Sequence, residues 1–256
     1  FPHEFSGYRH VSDDSVRAQF EEVWGVVLGG EPGLRIPNML DAAVDGTFKG
    51  LYIQGEDIVQ SDPNTRHVTA GLAAMECVVI QDLFLNETAS YAHVFLPGSS
   101  FLEKDGTFTN AERRISRVRK AIPPKNGYAD WEITLLLSKA LGFEMNYGHP
   151  SEIMDEIARL TPTFTGVSYD KIERLGSVQW PCNERAPEGT PVMHVEEFVR
   201  GKGRFVITEY VPTDERTSSE YLTRRYAGAV SLGDREDEHR GERRKRNEVR
   251  AHVHAE

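Results

Sequence analysis

Three short runs of mostly apolar residues lie in the first half of the chain, at residues 49–54, 77–81 and 93–96. Each run is followed by Gly, Asp or Pro, and residues 64–74, between the first two runs, have the spacing of a helix. Continuous Val, Ile and Leu runs separated by helices are typical of a parallel sheet that is covered on both faces. The pattern therefore predicts a βαβ arrangement inside an α/β domain.

Helical periodicity recurs on both sides of these runs. The most extended apolar face follows Asp130, and Gly142 supplies a stop signal after it. Near the end of the patterned region, apolar residues flank two glycines and predict a hairpin. The further elements that we expect are helices at residues 13–24, 36–45, 86–91, 130–141, 151–160 and 169–175, and a β-hairpin from Phe198 to Tyr210.

The pattern divides the chain into four regions. Residues 1–48 are expected to form a helical lead-in packed on the core, residues 49–160 the α/β domain, and residues 161–217 a loop-rich extension with the hairpin. From residue 218 to residue 256 the composition changes to Arg, Glu, Asp and His with few large apolar residues. Such a segment buries too little apolar surface to offset its ordering entropy, so we expect a disordered tail.

Composition limits the classes of function. The net charge of −10 over 256 residues argues against general nucleic-acid binding, which needs a cationic surface. No apolar run approaches the roughly 20 residues that span a bilayer, so no membrane insertion is expected. Cys77 and Cys182 lack the spacing of a metal or iron–sulfur site, and the apolar run around Cys77 predicts a buried thiol. The start at Phe1 rather than Met suggests a piece of a longer protein.

Polar residues follow the first two predicted strands directly. Gly55 and Asp57 come after the first strand, and Gln81 with Asp82 ends the second. In parallel α/β sheets, ligands bind at the carboxyl ends of the strands. The sequence therefore predicts a ligand site at this edge of the sheet.

Residues 103–119 combine a turn of small residues with a series of cations. Gly106 permits a close approach of the backbone, and Lys104 together with the arginines that follow could hold an anion. The alternative is a hairpin with a solvated charged face. Both interpretations are open on these residues alone.

Residues 50–63, 79–89 and 92–110 resemble, in order and spacing, the third domain of the molybdopterin oxidoreductases. The specific resemblance is to the catalytic alpha subunit of molybdenum- or tungsten-dependent formate dehydrogenase, and it extends over residues 1–217. It implies a Rossmann-like three-layer sandwich with a mainly parallel sheet, followed by a loop-rich segment with a small β-hairpin. Further matches are at residues 5–8, 37–43, 130–133, 155–162, 179–182 and 189–191.

The resemblance also implies a ligand, the guanosine end of one of two molybdopterin guanine dinucleotides. Asp57 departs from the family, which has Asn in this turn, and a carboxylate only accepts hydrogen bonds, so its contact is in doubt. The resemblance assigns no catalytic residue and no metal ligand within this chain. The residues that it places at the cofactor are Gly55, Asp57, Gln81, Asp82, Lys104 and Asp130.

Three of these residues have a structural alternative. Asp82 could be the N-cap of the segment that starts at Asn86, and Asp130 could be the N-cap of the helix over 131–141. Lys104 could be an ordinary surface lysine. The sequence leaves these alternatives open.

The resemblance implies that the parent protein oxidises formate reversibly to carbon dioxide at a molybdenum or tungsten centre. It places 4Fe-4S clusters in the part of the parent that precedes this segment. Its implied partners are the remaining domains of the parent and iron–sulfur and flavin subunits that lead to NAD, in the cytoplasm. The chain alone is expected to be inactive. A related nitrate reductase, the large subunit of NADH-quinone oxidoreductase and a non-catalytic scaffold module are the alternatives.

Overall fold

The computed structural model describes residues 2–195, 198, 201–203 and 205–210 of the chain. The chain divides into two compact units, Phe1–Gly201 and Lys202–Glu256, and the elements below belong to the first. The tail over residues 218–256, expected to be disordered, lies outside the described residues.

Eight strands and seven helices are assigned in the described residues, and most lie where the periodicity predicts them. The strands are β1 Glu4–Phe5, β2 Arg9–His10, β3 Gly50–Gln54, β4 Cys77–Asp82, β5 Val94–Pro97, β6 Gly106–Thr109, β7 Arg114–Val118 and β8 Ser177–Gln179. The helices are α1 Asp14–Trp24, α2 Ile36–Val44, α3 Ile58–Ser61, α4 Thr65–Ala74, α5 Asp130–Ala140, α6 Pro150–Leu160 and α7 Tyr169–Leu175, with a 3-10 turn at Thr88–Tyr91.

The three strands of the predicted βαβ arrangement form one parallel sheet in the order β3-β4-β5. Gln54 lies opposite Gln81 in this register, and Asp82 lies opposite Pro97. All three carboxyl ends therefore meet at the same edge. The α/β class with a parallel sheet is confirmed, together with a small antiparallel sheet of order β6-β7-β8.

Side chains alternate between the two faces of the parallel sheet. Ile53, Val78 and Ile80 point to one face, where they are buried against α2 and α4 in the larger hydrophobic core. Tyr52 and Gln81 point to the opposite face of the sheet, toward the first turn of α5. Because of this period of two, Tyr52 and Gln81 lie on the α5 face, whereas Asp82 at the end of β4 belongs to the alternation of Val78 and Ile80.

Residues 103–119 form the hairpin that the alternative interpretation describes. Their arginines bind carboxylates of the same chain: Arg117 contacts Asp105 and Glu173, each at 2.8 Å, and Arg114 contacts Glu112 at 2.8 Å. The hairpin packs on a second core that contains Ile115, Ile172, Val178 and Cys182, among others. These arginines therefore have partners without an external anion.

Two further expectations differ from the structure. Cys77 is exposed, not buried, because it starts β4 opposite Gly50, which has no side chain to cover it. Of the hairpin expected from Phe198 to Tyr210, the described residues show one antiparallel bridge between Phe198 and Gly201, and residues 205–210 form no strand. Within the described part of the chain, no helix has the length and apolar character that crossing a membrane requires.

Candidate functional site

The predicted site residues on β3 and β4 meet at the carboxyl edge of the parallel sheet. Gly55 adopts a left-handed conformation with φ +63°, and its N–H donates to the Gln81 carbonyl at 2.9 Å. Gly98, just past β5, donates its N–H to the Asp82 carbonyl at 2.8 Å. A Cβ at Gly98 would lie 3.0 Å from Asp130 Oδ1, so glycine allows the first turn of α5 to approach this edge.

Lys104 and Asp130 form an ion pair at the same edge. Lys104 Nζ donates to Asp130 Oδ2, and it also donates to the Ser99 carbonyl at 3.0 Å. The two side chains are 22% and 19% exposed, so water is largely removed while one side of the pair remains accessible. The ammonium group has three donors, and two are used by these contacts. Lys104 is therefore part of the strand-end cluster and not an isolated surface lysine.

Asp130 is stabilised in its ionised form. Partial burial raises its pKa, but hydrogen bonds from Lys104, from the Ser99 N–H at 3.0 Å and from the Gln81 amide at 2.9 Å outweigh burial. The net result is a pKa below the usual value for aspartate. At neutral pH this carboxylate is an acceptor held by three donors.

The proposed N-cap role of Asp130 is wrong. Ala129 occupies the N-cap position of α5, and the Glu132 carboxylate accepts a hydrogen bond from its N–H at 2.6 Å. Asp130 is the first residue of the helix, and its own N–H donates to Ser99 Oγ at 3.0 Å. Its side chain turns back to the sheet, where Gln81, Ser99 and Lys104 donate to it.

Asp82 anchors the loop that follows β4. Its Oδ1 accepts from the Leu83 N–H at 2.6 Å, and its Oδ2 accepts from the Asn86 side-chain amide at 2.9 Å. The 3-10 turn starts later, at Thr88, and Asn86 itself accepts from the Ala89 N–H at 2.9 Å. Asp82 is therefore not the cap of that turn, and each of its oxygens keeps a second lone pair.

Gln81 lies behind this cluster and not on its surface. The residue is 1% exposed, its Nε2 donates to Asp130 and its Oε1 accepts from the Tyr52 hydroxyl. Burial, followed by the charge of Asp130, raises the pKa of Tyr52 above its ordinary value. Gln81 joins the site, but its side chain contacts Asp130 instead of solvent.

Asp57 makes a different connection. Its Oδ1 accepts from the Thr88 N–H at 3.1 Å and from the Thr88 hydroxyl, which is itself buried and accepts from the Val59 N–H at 3.1 Å. Asp57 thus ties the turn after β3 to the 3-10 turn. Among the described residues, no hydrogen bond joins Asp57 to Lys104 or Asp130.

Sequence reasoning missed Tyr52 and Ser99. Ser99 is 2% exposed and exchanges two hydrogen bonds with Asp130, one through its N–H and one through its hydroxyl oxygen. Tyr52 could have been found from the sequence as a hydroxyl-bearing residue in an otherwise apolar strand. It points to the same face of the sheet as Gln81. The signal for Ser99 was its place in the turn directly after β5. No group of three or more His, Cys, Asp or Glu side chains with metal-binding geometry occurs in the part of the chain that the structure describes.

Comparison with known proteins identifies the family. The model of the molybdopterin oxidoreductase family matches residues 2–140, more than half of the chain. The chain belongs to the molybdopterin oxidoreductases. This family assignment implies a pterin cofactor that carries molybdenum or tungsten, and it confirms the resemblance from which the site residues were assigned.

Several relatives carry the name "Putative formate dehydrogenase". The protein from Staphylococcus haemolyticus is 46% identical over 206 residues, and the one from Staphylococcus aureus USA300 is 44% identical over 206 residues. Both matches cover 79% of this chain and 21% of the relative. This molybdopterin oxidoreductase chain therefore spans about a fifth of the length of the curated relatives it matches.

Among solved structures, acetylene hydratase from Pelobacter acetylenicus is similar with a TM-score of 0.46 and 17% sequence identity. The match covers 66% of this chain and 24% of that structure.

Proposed function

We propose that the chain binds the guanosine end of a molybdopterin guanine dinucleotide within the catalytic subunit of a formate dehydrogenase. The observation that carries the proposal is the Lys104–Asp130 pair, partly exposed at the carboxyl edge of the parallel sheet. Two further findings support it, the family match and the two relatives that carry the formate dehydrogenase name.

The chemistry of the edge fits this ligand. Asp130 and Asp82 are carboxylates with remaining acceptor capacity, which suits the N–H donors of a guanine base and the hydroxyls of a ribose. The third N–H of Lys104 has no acceptor in the described residues, and it suits a carbonyl or phosphate oxygen. Gly55 leaves the backbone open, because a Cβ there would meet nothing within 4 Å among these residues.

Asp57 takes no part in this proposal as a direct ligand. Its Oδ1 is held by Thr88, so the replacement of the family's Asn by Asp57 is accommodated through a contact within the chain. We assign Asp57 to the shape of the turn that carries Gly55.

In the parent protein, the bound group would supply the metal centre that accepts the electrons of formate, while this chain holds the distal end of the cofactor. The proposal includes a bis-pterin form, 4Fe-4S clusters elsewhere in the parent, and electron transfer to NAD through iron–sulfur and flavin subunits in the cytoplasm. The chain alone would not oxidise formate, since no catalytic residue of the reaction is assigned to it.

Titration of the isolated chain with guanosine monophosphate, followed by amide chemical shifts in NMR, tests the proposal. We expect weak binding, with a Kd of about tens of micromolar to 1 mM, because the contacts to the pterin part are absent. Lys104→Ala should weaken the binding about tenfold, since it removes a charged hydrogen bond. The matched control is Lys139→Ala, which removes an exposed lysine paired with Glu144 from the last turn of α5.

Equal effects of the two lysine substitutions would remove Lys104 from the site. Absence of binding by a folded sample would contradict nucleotide binding by this chain and would favour the scaffold alternative. Guanine can donate to a carboxylate through its N1–H and N2–H groups, which adenine lacks. Adenosine monophosphate therefore tests base specificity.

A further inference from the structure

Four side chains form a continuous chain of hydrogen bonds across the α5 face of the parallel sheet. Lys104 donates to Asp130, Gln81 Nε2 donates to Asp130 at 2.9 Å, and the Tyr52 hydroxyl donates to Gln81 Oε1. The chain runs from Tyr52, partly buried in the middle of β3, to the partly exposed Lys104–Asp130 pair at the edge. Gln81 and Tyr52 lie at the end of this chain that is away from Lys104, and Gln81 is buried.

The direction of every bond in this chain is determined by chemistry. Lys104 can only donate and ionised Asp130 can only accept, so the amide nitrogen of Gln81 must face Asp130. The amide oxygen of Gln81 then faces Tyr52, whose hydroxyl must donate. Rotation of the amide by half a turn would place its oxygen against the Asp130 carboxylate. Asp130 therefore sets the amide orientation, and Tyr52 supplies the donor that the Gln81 oxygen needs in that orientation.

We infer that Tyr52 and Gln81 are positioning residues that hold the Asp130 carboxylate, and through it Lys104, in the geometry that binds the nucleotide. The identity of the ligand in this inference rests on the proposed function. The positioning of Asp130 by Gln81 and Tyr52 does not depend on that ligand. Gln81 is 1% exposed, so it acts through Asp130 and does not contact the ligand itself. Gln81, predicted from the sequence to contact the cofactor, is reassigned as a residue that positions the contacting carboxylate. Tyr52 is added to the site in the same role.

Gln81 provides one of the three hydrogen bonds that orient the Asp130 carboxylate. Its Oδ1 accepts from both Gln81 and the Ser99 N–H, and its Oδ2 accepts from Lys104. Without the donor from Gln81, Asp130 Oδ1 keeps only the Ser99 N–H, and the carboxylate that pairs with Lys104 is held less firmly. A ligand would then have to bear the cost of ordering both side chains.

The test replaces Tyr52 by Phe, which keeps the ring in the sheet and removes the hydroxyl. We expect guanosine monophosphate to bind about two- to tenfold more weakly, the range of one neutral hydrogen bond. The pKa of Asp130, followed by carboxyl ¹³C NMR, should rise toward its ordinary value as the Gln81 donor loses its orientation. Gln81→Met should raise the pKa of Asp130 further, because it removes that donor altogether.

Tyr91→Phe is the matched control. Tyr91 packs against the same core of the parallel sheet, and its hydroxyl makes no hydrogen bond to the described residues, so both readouts should stay unchanged. An unchanged Asp130 pKa in the folded Tyr52→Phe variant overturns the positioning inference, whatever happens to binding. If the wild-type chain fails to bind the nucleotide, the proposed function fails, while the Asp130 titration still decides whether Tyr52 positions this carboxylate.

Discussion

Asp130 connects three parts of the chain at the level of single residues. Its carboxylate accepts from Gln81 in β4, from Ser99 after β5 and from Lys104 before β6. Burying a carboxylate to this degree destabilises the folded state unless hydrogen-bond donors replace the lost water. Here three donors do so. The same contacts that make Asp130 a candidate ligand residue therefore also stabilise the fold.

The lowered pKa of Asp130 predicts a specific pH dependence of stability. A carboxyl group with a lower pKa in the folded than in the unfolded state contributes stability above its unfolded pKa, about 3.9, and loses that contribution as the pH falls through its folded pKa. We expect the free energy of unfolding to decline below about pH 4. Asp130→Asn should be less stable than wild type at pH 7, and the difference should shrink in acid.

Urea unfolding from pH 3 to pH 7 measures this effect. Asp170→Asn is the control, because Asp170 is exposed in the first turn of α7 and makes no hydrogen bond to the described residues. A constant difference in unfolding free energy between wild type and Asp130→Asn across this range would show that Asp130 is not the titrating group.

At the scale of elements, α5 differs from the other long helices. Its apolar residues extend around most of the helix, yet Ile133 is its one buried residue, and Leu136 is half exposed. A helix that is apolar on several faces is normally covered on several faces. Asp130 in the first turn of α5 makes hydrogen bonds to Gln81, Ser99 and Lys104, so the candidate site also anchors this helix.

Alanine substitutions along α5 should reflect this uneven burial. Ile133→Ala should cost about 2–4 kcal/mol in the free energy of unfolding, because the side chain is 9% exposed and leaves a cavity. Leu136→Ala should cost less than about 1 kcal/mol, because that side chain is 50% exposed and alanine is the better helix former. Equal costs in denaturant unfolding of the isolated chain would contradict the described packing of α5.

At the scale of the molecule, two hydrophobic cores lie within one compact unit. One core includes Leu72 and Ile80 around the parallel sheet, and the other includes Ile115 and Ile172 around the antiparallel sheet. Both belong to Phe1–Gly201, and the Lys104–Asp130 pair joins the segment before β6 to the first turn of α5. This arrangement favours a single unfolding transition.

Leu72→Ala tests whether the two cores unfold together. The side chain is 1% exposed in the first core, so the substitution should cost about 2–5 kcal/mol. Methyl NMR signals of Ile80 and Ile172 should disappear at the same lowered urea concentration. Leu141→Ala, at a residue that is largely exposed, should leave the urea concentration at which either signal disappears unchanged. If the urea midpoint followed at Ile80 fell while the midpoint at Ile172 stayed the same, the two cores would unfold separately.

Much of the fold follows from local pattern. The strands of the parallel sheet and helices α1, α2, α4, α6 and α7 agree with their predictions within one or two residues, because long periodic segments carry their own signal. The antiparallel sheet was not predicted beyond the alternative of a hairpin over residues 103–119, since the pairing of β7 with β8 joins residues more than sixty positions apart. Cys77 was misjudged because exposure depends on its cross-strand neighbour Gly50.

The sequence by itself predicted the strands of the parallel sheet, their carboxyl ends and the types of residue that gather there, because strand periodicity and the polar residues after each strand are properties of the local chain. Tertiary structure decided what those residues contact. It turned Asp130 from a helix cap into the acceptor of three donors, buried Gln81 behind it and added Tyr52 and Ser99. Such partners come from segments far apart in sequence, and hydrogen-bond direction and burial exist only once these segments are packed together.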